Sequence, residues 1–186
     1  MNNDVSEYKR KSYIELDVIY FWTATINKWQ CLMHDDRYKD VIISSLAHLS
    51  GKGKIDVFAF VVMPNHIHLI WRMNEMNGKE SAHGSFLKFT AHEFKKMQKM
   101  ENLGGLASFK VEAINKNYEF WQRDSLAVPL YSKKMALQKL DYIHNNPLQE
   151  RWNLAADPSD YKYSSAAFYE KGENTFPFLK HLLDEF

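Results

Sequence analysis

A short turn between two strand-like segments is the feature that most limits how this chain can fold. Residues 55–63 and 66–73 are rich in β-branched and aromatic side chains, and a Pro-Asn pair between them is typical of a turn. Such a short connection joins antiparallel strands. Helical patterns flank this hairpin, over residues 35–50 and 85–100. The sequence therefore predicts an α+β fold, with a ferredoxin-like antiparallel sheet and helices packed on one face.

Apolar periodicity and turn residues predict the remaining elements. A first strand covers residues 17–25, and short extended segments cover residues 120–123 and 126–131. A helix over residues 133–146 begins after a serine, a favourable N-cap residue, and ends before a proline. A further helix is predicted near residues 164–170. The buried stripe predicted for the second helix consists of Phe86, Phe89, Thr90, Phe94 and Met97.

Composition limits the class of protein. The chain has 186 residues, of which 45% are apolar, which suits one domain with a core over about residues 15–150 and a C-terminal extension over 151–186. A net charge of +1 means that any nucleic-acid-binding surface must be local. Cys31 is the only cysteine, which excludes an internal disulfide. A polar N-terminal stretch and the lack of a long apolar run predict a cytoplasmic protein with no membrane span.

Two histidines begin the third predicted strand. Because side chains alternate between the faces of a strand, His66 and His68 share one face. Ile67, Leu69 and Trp71 then face the core. Two imidazoles this close can hold a divalent ion such as Mn²⁺, Zn²⁺ or Ni²⁺, or Mg²⁺ when oxygen ligands complete its shell. The pattern also fits two half-exposed sheet histidines, and a metal site needs a third ligand from elsewhere in the chain.

A tyrosine lies off the apolar stripe of the predicted helix over residues 133–146. At about 100° per residue, Tyr142 falls on the polar side with Gln138 and Asn146, one turn before and after it. The apolar stripe consists of Ala136, Leu137, Leu140 and Ile143. Such departures from local rules tend to occur at functional sites. A tyrosine hydroxyl is a weak nucleophile, but it could react with a phosphate that a bound metal ion polarises. The alternative is a surface tyrosine, with Asn146 capping the helix.

Together, these motifs resemble those of a known family. Pro-Asn-His-Ile-His at residues 64–68 and the later Tyr-Ile-His-Asn-Asn-Pro at residues 142–147 are similar to motifs of the HUH single-tyrosine transposases. The resemblance is greatest to the insertion-sequence-200-like group and its REP-associated tyrosine transposases. Phe-Trp-Gln-Arg at residues 120–123 and Asp-Tyr-Lys-Tyr-Ser-Ser at residues 160–165 extend the match to about residues 15–170.

The resemblance implies a role for each motif residue. His66 and His68 match the family's metal-binding pair, and Asn146 matches the polar residue that completes the site for Mg²⁺ or Mn²⁺. Tyr142 matches the nucleophile, which cleaves and rejoins single-stranded DNA through a 5′-phosphotyrosine link. The implied fold is a single HUH endonuclease-type transposase domain over residues 1–186. The implied partner is hairpin DNA at palindromic repeats, bound by a monomer or a homodimer. Glu150 departs from the neutral or basic residue that relatives often have.

Basic residues on the helices are candidate DNA contacts. They are Lys88, Lys95, Lys96 and Lys99 on the second helix, and Arg123, Lys133 and Lys134 near the tyrosine. Each phosphate contact on a single strand should contribute about −0.7 to the salt-dependence slope. A solvated helix face is the alternative for any one lysine. Trp121 is expected in the core, and His144 points away from Tyr142, which argues against a role as catalytic base.

Two other functions fit part of the sequence. A ferredoxin-like sheet can bind nucleic acid without catalysis, which predicts metal-free binding that survives loss of Tyr142. The strands lack the aromatic run that such modules use. A small metal-dependent hydrolase with a metal-bound water would leave Tyr142 without a role, and no third histidine or carboxylate stands at ligand spacing. The sequence therefore favours the transposase.

Overall fold

The computed structural model describes residues 14–101, 105–113, 116–123 and 125–186. The predicted polar N-terminal stretch lies outside these residues. In chain order the strands and helices are β1 (Ile19–Thr25), α1 (Asp36–Gly51), β2 (Ile55–Val62), β3 (His66–Met73), α2 (Ala82–Glu101), β4 (Lys110–Ala113), β5 (Lys116–Tyr118), β6 (Leu126–Pro129), α3 (Lys133–His144) and α4 (Ala166–Glu170). None of the described helices is both long enough and apolar enough to span a membrane.

The main sheet has four antiparallel strands in the order β2-β3-β1-β6. β3 pairs with β2 on one side and with β1 on the other, and β6 pairs with the outer side of β1. The first and third strands of a β-α-β-β-α-β unit therefore occupy the centre, as in ferredoxin-like folds. This topology confirms the predicted α+β fold with an antiparallel sheet.

Helices α1 and α2 cover one face of the sheet. Trp22 of β1 and Trp71 of β3 meet there with ring centroids 4.8 Å apart, and Trp22 contacts Phe86 of α2 at 6.0 Å. Tyr38 of α1 and Phe94 of α2 join the two helices, with ring centroids 5.4 Å apart. Complete burial of one large apolar side chain stabilises a fold by about 1.5–3 kcal/mol, so this layer is a major part of the core.

Helix α3 lies on the opposite face of the sheet. Ser132 caps its N-terminus, with Oγ accepting a hydrogen bond from the backbone N–H of Met135 at 3.3 Å. Its buried side packs against β2 and β3. The predicted packing of helices on one face thus describes α1 and α2, whereas α3 adds a layer on the other face. The physical reason is that β3 is buried on both faces, so its histidine side also needs a covering layer.

Some predicted details differ from the structure. Phe89 and Leu137, both predicted to be buried, are 48% and 36% exposed. Phe89 lines an open cleft of about 390 Å³ together with Ser44 and His48 of α1, so the two helices do not close over it. Leu137 lies at the margin of its stripe. The stretch between the second predicted helix and residue 120, for which the sequence predicts no element, contains the β4–β5 pair.

The C-terminal segment follows the outer edge of β2. Ser164 pairs with Val61 in antiparallel orientation, and Leu179 pairs with Val57 in parallel orientation. The Tyr161 hydroxyl donates a hydrogen bond to a backbone carbonyl of β2 at 2.8 Å. A sheet edge otherwise presents unpaired backbone groups, so these contacts protect it from pairing with other chains.

Candidate active site

His66 and His68 lie side by side on the α3 face of β3. Their ring centroids are 4.7 Å apart and their planes are 74° apart, which confirms the predicted shared face. The side chains are only 4% and 5% exposed, so the alternative of two half-exposed sheet histidines is wrong. The Trp152 ring lies 5.9 Å from that of His66 and helps to cover it.

One nitrogen of each imidazole is engaged by a neighbouring side chain. Asn65 Oδ1 lies 2.6 Å from His66 Nδ1, and Thr23 Oγ1 lies 2.7 Å from His68 Nδ1. The Asn65 amide nitrogen donates to the Trp29 carbonyl at 3.2 Å, so the Asn65 oxygen must accept and His66 Nδ1 carries the proton. His66 Nε2 then keeps its lone pair. Nε2 of His68 is buried without a hydrogen-bond partner among the described residues.

Burial keeps both histidines neutral. It lowers the pKa of His66 to about 4, with a further lowering by the charge of Arg151 and an opposing effect of the Asn146 amide. Burial also lowers the pKa of His68 to about 3, assisted by the charges of His66, Lys139 and Arg151. Neutral imidazole is the form that binds metals, so both side chains are in the required state at neutral pH.

Asn146 is buried immediately after α3. The helix ends at His144, two residues before the predicted end, because Pro147 lacks the N–H needed to continue it. Asn146 is 0% exposed, and neither its Oδ1 nor its Nδ2 has a hydrogen-bond partner within the described ranges. Its amide nevertheless lies close enough to His66 to favour the protonated ring. A buried amide without a partner is costly unless a ligand satisfies it.

Tyr142 lies on the exposed side of α3 beside the histidines. Tyr142 is 42% exposed, which confirms that it lies off the core stripe of α3. Its ring centroid is 5.2 Å from that of His68 and 5.8 Å from that of Phe21, both in edge-on contact. The aromatic contacts limit the positions of the ring while leaving one side open to solvent. The predicted tyrosine, histidines and asparagine are thus brought together.

Two cationic side chains near the histidines were missed in the sequence analysis. Lys139, one turn before Tyr142, has its Nζ 4.7 Å from the Phe21 ring centroid and 5.8 Å from the Tyr142 ring centroid. Lys139 and Arg151 both lower the pKa of His68 through their charge, so each is near enough to act on this site. The i, i+3 spacing to Tyr142 could have identified Lys139, but the placement of Arg151 depends on the turn after α3.

The predicted DNA contacts of α2 lie on the other side of the sheet from Tyr142. Lys88 forms an ion pair with Glu80 at 2.6 Å, and Lys95 lies 5.0 Å above the centroid of the Tyr118 ring. Lys99 is exposed and forms no ion pair with any residue that the structure describes. These lysines therefore form a surface separate from the histidine site.

The predicted DNA contacts near the tyrosine differ in whether they already form an ion pair. Arg123 forms an ion pair with Glu119, with Nε 3.0 Å from Oε1. Lys133 and Lys134 are exposed at the first turn of α3, and neither has an ion-pair partner in the part of the chain that the structure describes. They lie two to three turns before Tyr142 on the same helix. They are thus the predicted cations closest in sequence to the site.

His144 and Trp121 have structural contacts, as expected. His144 lies on the buried side of α3, with Nε2 2.8 Å from Ser165 Oγ and its ring 5.3 Å from that of Tyr169. Trp121 is 6% exposed and donates from Nε1 to Thr90 Oγ1 at 2.9 Å. Neither side chain is available to a bound substrate.

The donor atoms fit a divalent cation held by nitrogen and neutral oxygen. Among residues 14–101, 105–113, 116–123 and 125–186, no group of three or more His, Cys, Asp and Glu side chains is placed to bind a metal. A third protein ligand beside His66 and His68 would therefore be neutral, and the Asn146 oxygen is buried near His66 without a hydrogen-bond partner among the described residues. Imidazole and amide donors suit Mn²⁺, and suit Mg²⁺ when further oxygens complete the shell.

One comparison with a solved structure agrees with this architecture. No protein-family model and no curated protein sequence matches the chain. A solved structure of a REP-associated tyrosine transposase bound to a REP hairpin is similar, with a TM-score of 0.60, 21% identity, and coverage of 93% of this chain and 89% of that chain. A protein named as a candidate transposase from Deinococcus radiodurans R1 is 19% identical, with a TM-score of 0.34 and coverage of 74% and 95%. The first of these two similarities shows that this chain has the fold of the REP-associated tyrosine transposase.

Proposed function

We propose that this protein is a metal-dependent transposase that cleaves and rejoins single-stranded DNA through a covalent bond to Tyr142. The observation that carries the proposal is the contact between an exposed tyrosine and a buried histidine pair, with the Tyr142 ring 5.2 Å from the His68 ring. A tyrosine used only for packing would be expected on the buried stripe of α3. Its exposure beside unsatisfied ligand atoms supports a chemical role instead.

The proposed step exchanges one phosphoester bond for another. The Tyr142 oxygen attacks the scissile phosphorus and loses its proton to solvent, while the bond to the 3′ oxygen of the preceding nucleotide breaks. That oxygen takes up a proton and becomes a free 3′-OH, and the following strand stays attached as a 5′-phosphotyrosine. Attack by another 3′-OH reverses the step and joins two strands, so no high-energy cofactor is needed.

Mg²⁺ or Mn²⁺ is the proposed metal, held by Nε2 of His66 and His68 and by Oδ1 of Asn146. When bound, the ion would polarise the scissile phosphate and offset the charge that develops on it. The protein's own contribution is to hold neutral imidazoles in a fixed orientation through Thr23 and Asn65. Such a cation would give the buried amide oxygen of Asn146 the partner that it lacks among the described residues.

Lys139 and Arg151 are the proposed phosphate contacts at this site. Both charges act on the buried His68, and that of Arg151 also acts on His66, so the same charges make the site attractive to a polyanion. Lys139 also lies against the Tyr142 ring, which brings a cation beside the proposed nucleophile. Lys133 and Lys134 would extend this contact along α3, and Arg123 together with the lysines of α2 would contact more distant parts of the DNA.

Hairpin-bearing single-stranded DNA is the proposed substrate. The similar structure of the REP-associated tyrosine transposase contains a REP hairpin, which supports testing palindromic hairpins first. Tyr142 and both histidines lie in one chain, so a single protomer carries a full set of these groups. The proposal is compatible with either a monomer or a homodimer.

The test is formation of a covalent adduct. Labelled hairpin DNA, drawn from repeats that flank the gene, is incubated with the protein and Mn²⁺ or a chelator, then separated on a denaturing gel. We expect a metal-dependent protein–DNA band that disappears in Tyr142→Phe. Binding without an adduct across several hairpins and metals would favour a non-catalytic binding module. Cleavage that persists in Tyr142→Phe would favour a metal-activated water.

A further inference from the structure

An indole ring stands exposed at the His66 end of the candidate site. Trp29 is 59% exposed, although tryptophan is usually among the more buried side chains. Its ring lies 6.5 Å from the His66 ring, edge-on at 64°. His66 is thus flanked by Trp29 on the solvent side and by the more buried Trp152 at 5.9 Å.

The backbone that presents Trp29 has an unfavourable conformation. Lys28 and Trp29 both have a φ of 56°, in the left-handed region that residues other than glycine rarely adopt. Such conformations persist only where surrounding contacts impose them, and they cluster at functional sites. The Trp29 N–H donates to the Ile26 carbonyl at 2.9 Å, which closes the turn around these two residues.

A single buried side chain connects this turn to the metal-ligand candidate. Asn65 is 7% exposed, and its amide nitrogen donates to the Trp29 carbonyl while its oxygen accepts from His66 Nδ1. The backbone N–H of Ile26 also donates to the Asn65 carbonyl at 2.8 Å. The backbone of Trp29 is therefore held relative to His66 by the same residue that holds the imidazole.

We infer that Trp29 is a stacking platform for a nucleobase next to the scissile phosphate. The inference rests on the proposed function, because it assumes that DNA occupies the histidine site. Base stacking on an aromatic ring depends little on sequence, since every base has a π face. The charge of Arg151 acts on both His66 and His68, and that of Lys139 acts on His68, so cations and the exposed ring of Trp29 surround the same pair of histidines. This combination is typical of surfaces that bind single strands.

The geometry favours a base over other ligands. A buried apolar partner would need a groove around Trp29, whereas this ring stands exposed on a turn beside the polar imidazole of His66. A base has a flat π face for the indole and a phosphate on each side for the cations. A nucleotide whose phosphate reaches the histidines would place its own or the neighbouring base within reach of Trp29.

This inference is tested by combining two changes, an abasic site in the DNA and the substitution of Trp29, in one double-mutant cycle. In a Tyr142→Phe background, which cannot form the covalent bond, affinity is measured for hairpin DNA with an abasic site moved along the strand through the cleavage position. With Trp29 present, we expect one abasic position near the cleavage site to weaken binding by about 5- to 150-fold. With Trp29→Ala, the same abasic site should have no further effect, because the stacking partner is already absent.

Two variants separate stacking from structural effects. Trp29→Phe keeps a π face and should retain position-specific sensitivity to the abasic site, whereas Trp29→Leu keeps only apolar bulk and should lose it. Phe89→Ala is the matched control, since Phe89 is also an exposed aromatic residue at 48% but lies on α2, across the sheet. It should leave the abasic profile unchanged.

The outcomes distinguish this inference from the proposed function. If the wild-type protein forms the adduct but Trp29→Ala keeps the full abasic sensitivity at every position, Trp29 is not the platform and the function stands. A uniform loss of affinity in Trp29→Ala, with no coupling to any one position, also overturns the inference. If the wild-type protein forms no adduct, the failure belongs to the proposed function.

Discussion

The hydroxyl oxygen of Thr23 lies 2.7 Å from Nδ1 of His68, across directly paired positions of β1 and β3. The next pair on the same face of these strands, which α3 covers, is Thr25 and His66. There the imidazole is held by Asn65 instead. The two histidines thus have different supporting residues. This difference allows the support of one ring to be changed without changing the other.

Replacing Thr23 with valine should weaken metal binding while preserving the fold. Valine has nearly the same shape and suits a strand, so the protein should still fold, with a free energy of unfolding lower by about 1–3 kcal/mol because the buried His68 Nδ1 loses its partner. Loss of the hydrogen bond frees the His68 ring to rotate, and loss of such a supporting contact commonly costs about 10- to 100-fold in metal affinity. The measurement is Mn²⁺ titration calorimetry of the Thr23→Val protein beside the wild type.

Thr25→Val is the matched control. Thr25 lies on the same strand and the same face, and its side chain has no hydrogen bond to His66 in the described structure. Its Mn²⁺ affinity should equal that of the wild type. Equal weakening in both variants would show that hydroxyl groups on β1 affect the site nonspecifically, contrary to the assigned role of Thr23.

Lys139 and Arg151 should carry the salt dependence of binding at the cleavage site. Lys139→Gln or Arg151→Gln should each reduce the slope of log affinity against log salt concentration by about 0.7 on a short single strand, the value for one lost phosphate contact. Fluorescence anisotropy in a Tyr142→Phe background measures the slope without interference from the covalent step. Unchanged slopes in both variants would exclude them as phosphate contacts.

The lysines of α2 should contribute to the salt dependence of binding only when the DNA is long enough to reach them. Lys88, Lys95 and Lys99 lie across the sheet from Tyr142, so a short strand bound at the histidines should not reach them. Their glutamine variants should therefore keep the wild-type slope on a short strand and lose slope only on a longer hairpin. Loss on both substrates would mean that the single strand itself passes over α2.

An ion-pair network at the far end of the sheet should make the fold sensitive to acid. Asp56 is 5% exposed and pairs with Arg72 and Lys180, each at 2.6 Å. Burial alone would raise the pKa of Asp56, but the hydrogen bonds from Lys180 and Arg72 outweigh it and lower the pKa below its ordinary value of 3.8. The resulting stability is present above the unfolded-state pKa and is lost as pH falls through the folded-state pKa.

Asp56→Asn should therefore destabilise the protein at neutral pH by about 1–3 kcal/mol, the range for losing charge-assisted hydrogen bonds. The difference from wild type should shrink as pH falls through the folded-state pKa of Asp56, because the wild-type carboxyl group is then protonated and residue 56 is neutral in both proteins. Urea unfolding at several pH values measures this. Glu75→Gln is the control, since Glu75 pairs with Lys54 at the surface and should contribute little at any pH. A constant difference at all pH values would contradict the assignment.

Local sequence patterns were sufficient to predict on which face the motif residues lie, but not how deeply those residues are buried. Alternation in β3 placed His66 and His68 on one face, and the helical wheel placed Tyr142 off the core stripe; both are confirmed. The burial of the histidines could not be predicted from alternation, because it depends on α3 crossing their face. The exposure of Phe89 likewise depends on how closely α1 and α2 approach, which the pattern of one helix does not specify.

Which basic residues lie near the histidines could likewise not be predicted from local patterns. Clusters of lysine on α2 were conspicuous in the sequence, yet that helix covers the opposite face of the sheet. Arg151 was inconspicuous because it follows the turn at Pro147, whose path the helical pattern of α3 does not specify. A sequence indicates which face of a helix is polar, but the layer on which that helix lies is decided by the packing of the whole sheet.

Asn146→Leu should separate stability from function. Asn146 is completely buried, and its amide atoms lack hydrogen-bond partners among the described residues. Leucine has a similar volume and no polar atoms to desolvate, so the free energy of unfolding should stay the same or rise by up to about 1–3 kcal/mol. Metal-dependent adduct formation should fall by more than the roughly 10- to 100-fold typical of losing an outer supporting contact. Thermal melting and the denaturing-gel assay measure the two effects on the same preparation.

Asn146→Asp gives the opposite pattern and completes the test. A buried carboxylate without a cation is costly, so this variant should melt at a lower temperature than wild type in the presence of chelator. It keeps an oxygen donor with added negative charge, so Mn²⁺ should bind more tightly and raise the melting temperature by more than in the wild type. If Mn²⁺ stabilises the aspartate and leucine variants equally, residue 146 is not a ligand. The metal must then be held by the histidines together with solvent or DNA oxygens alone.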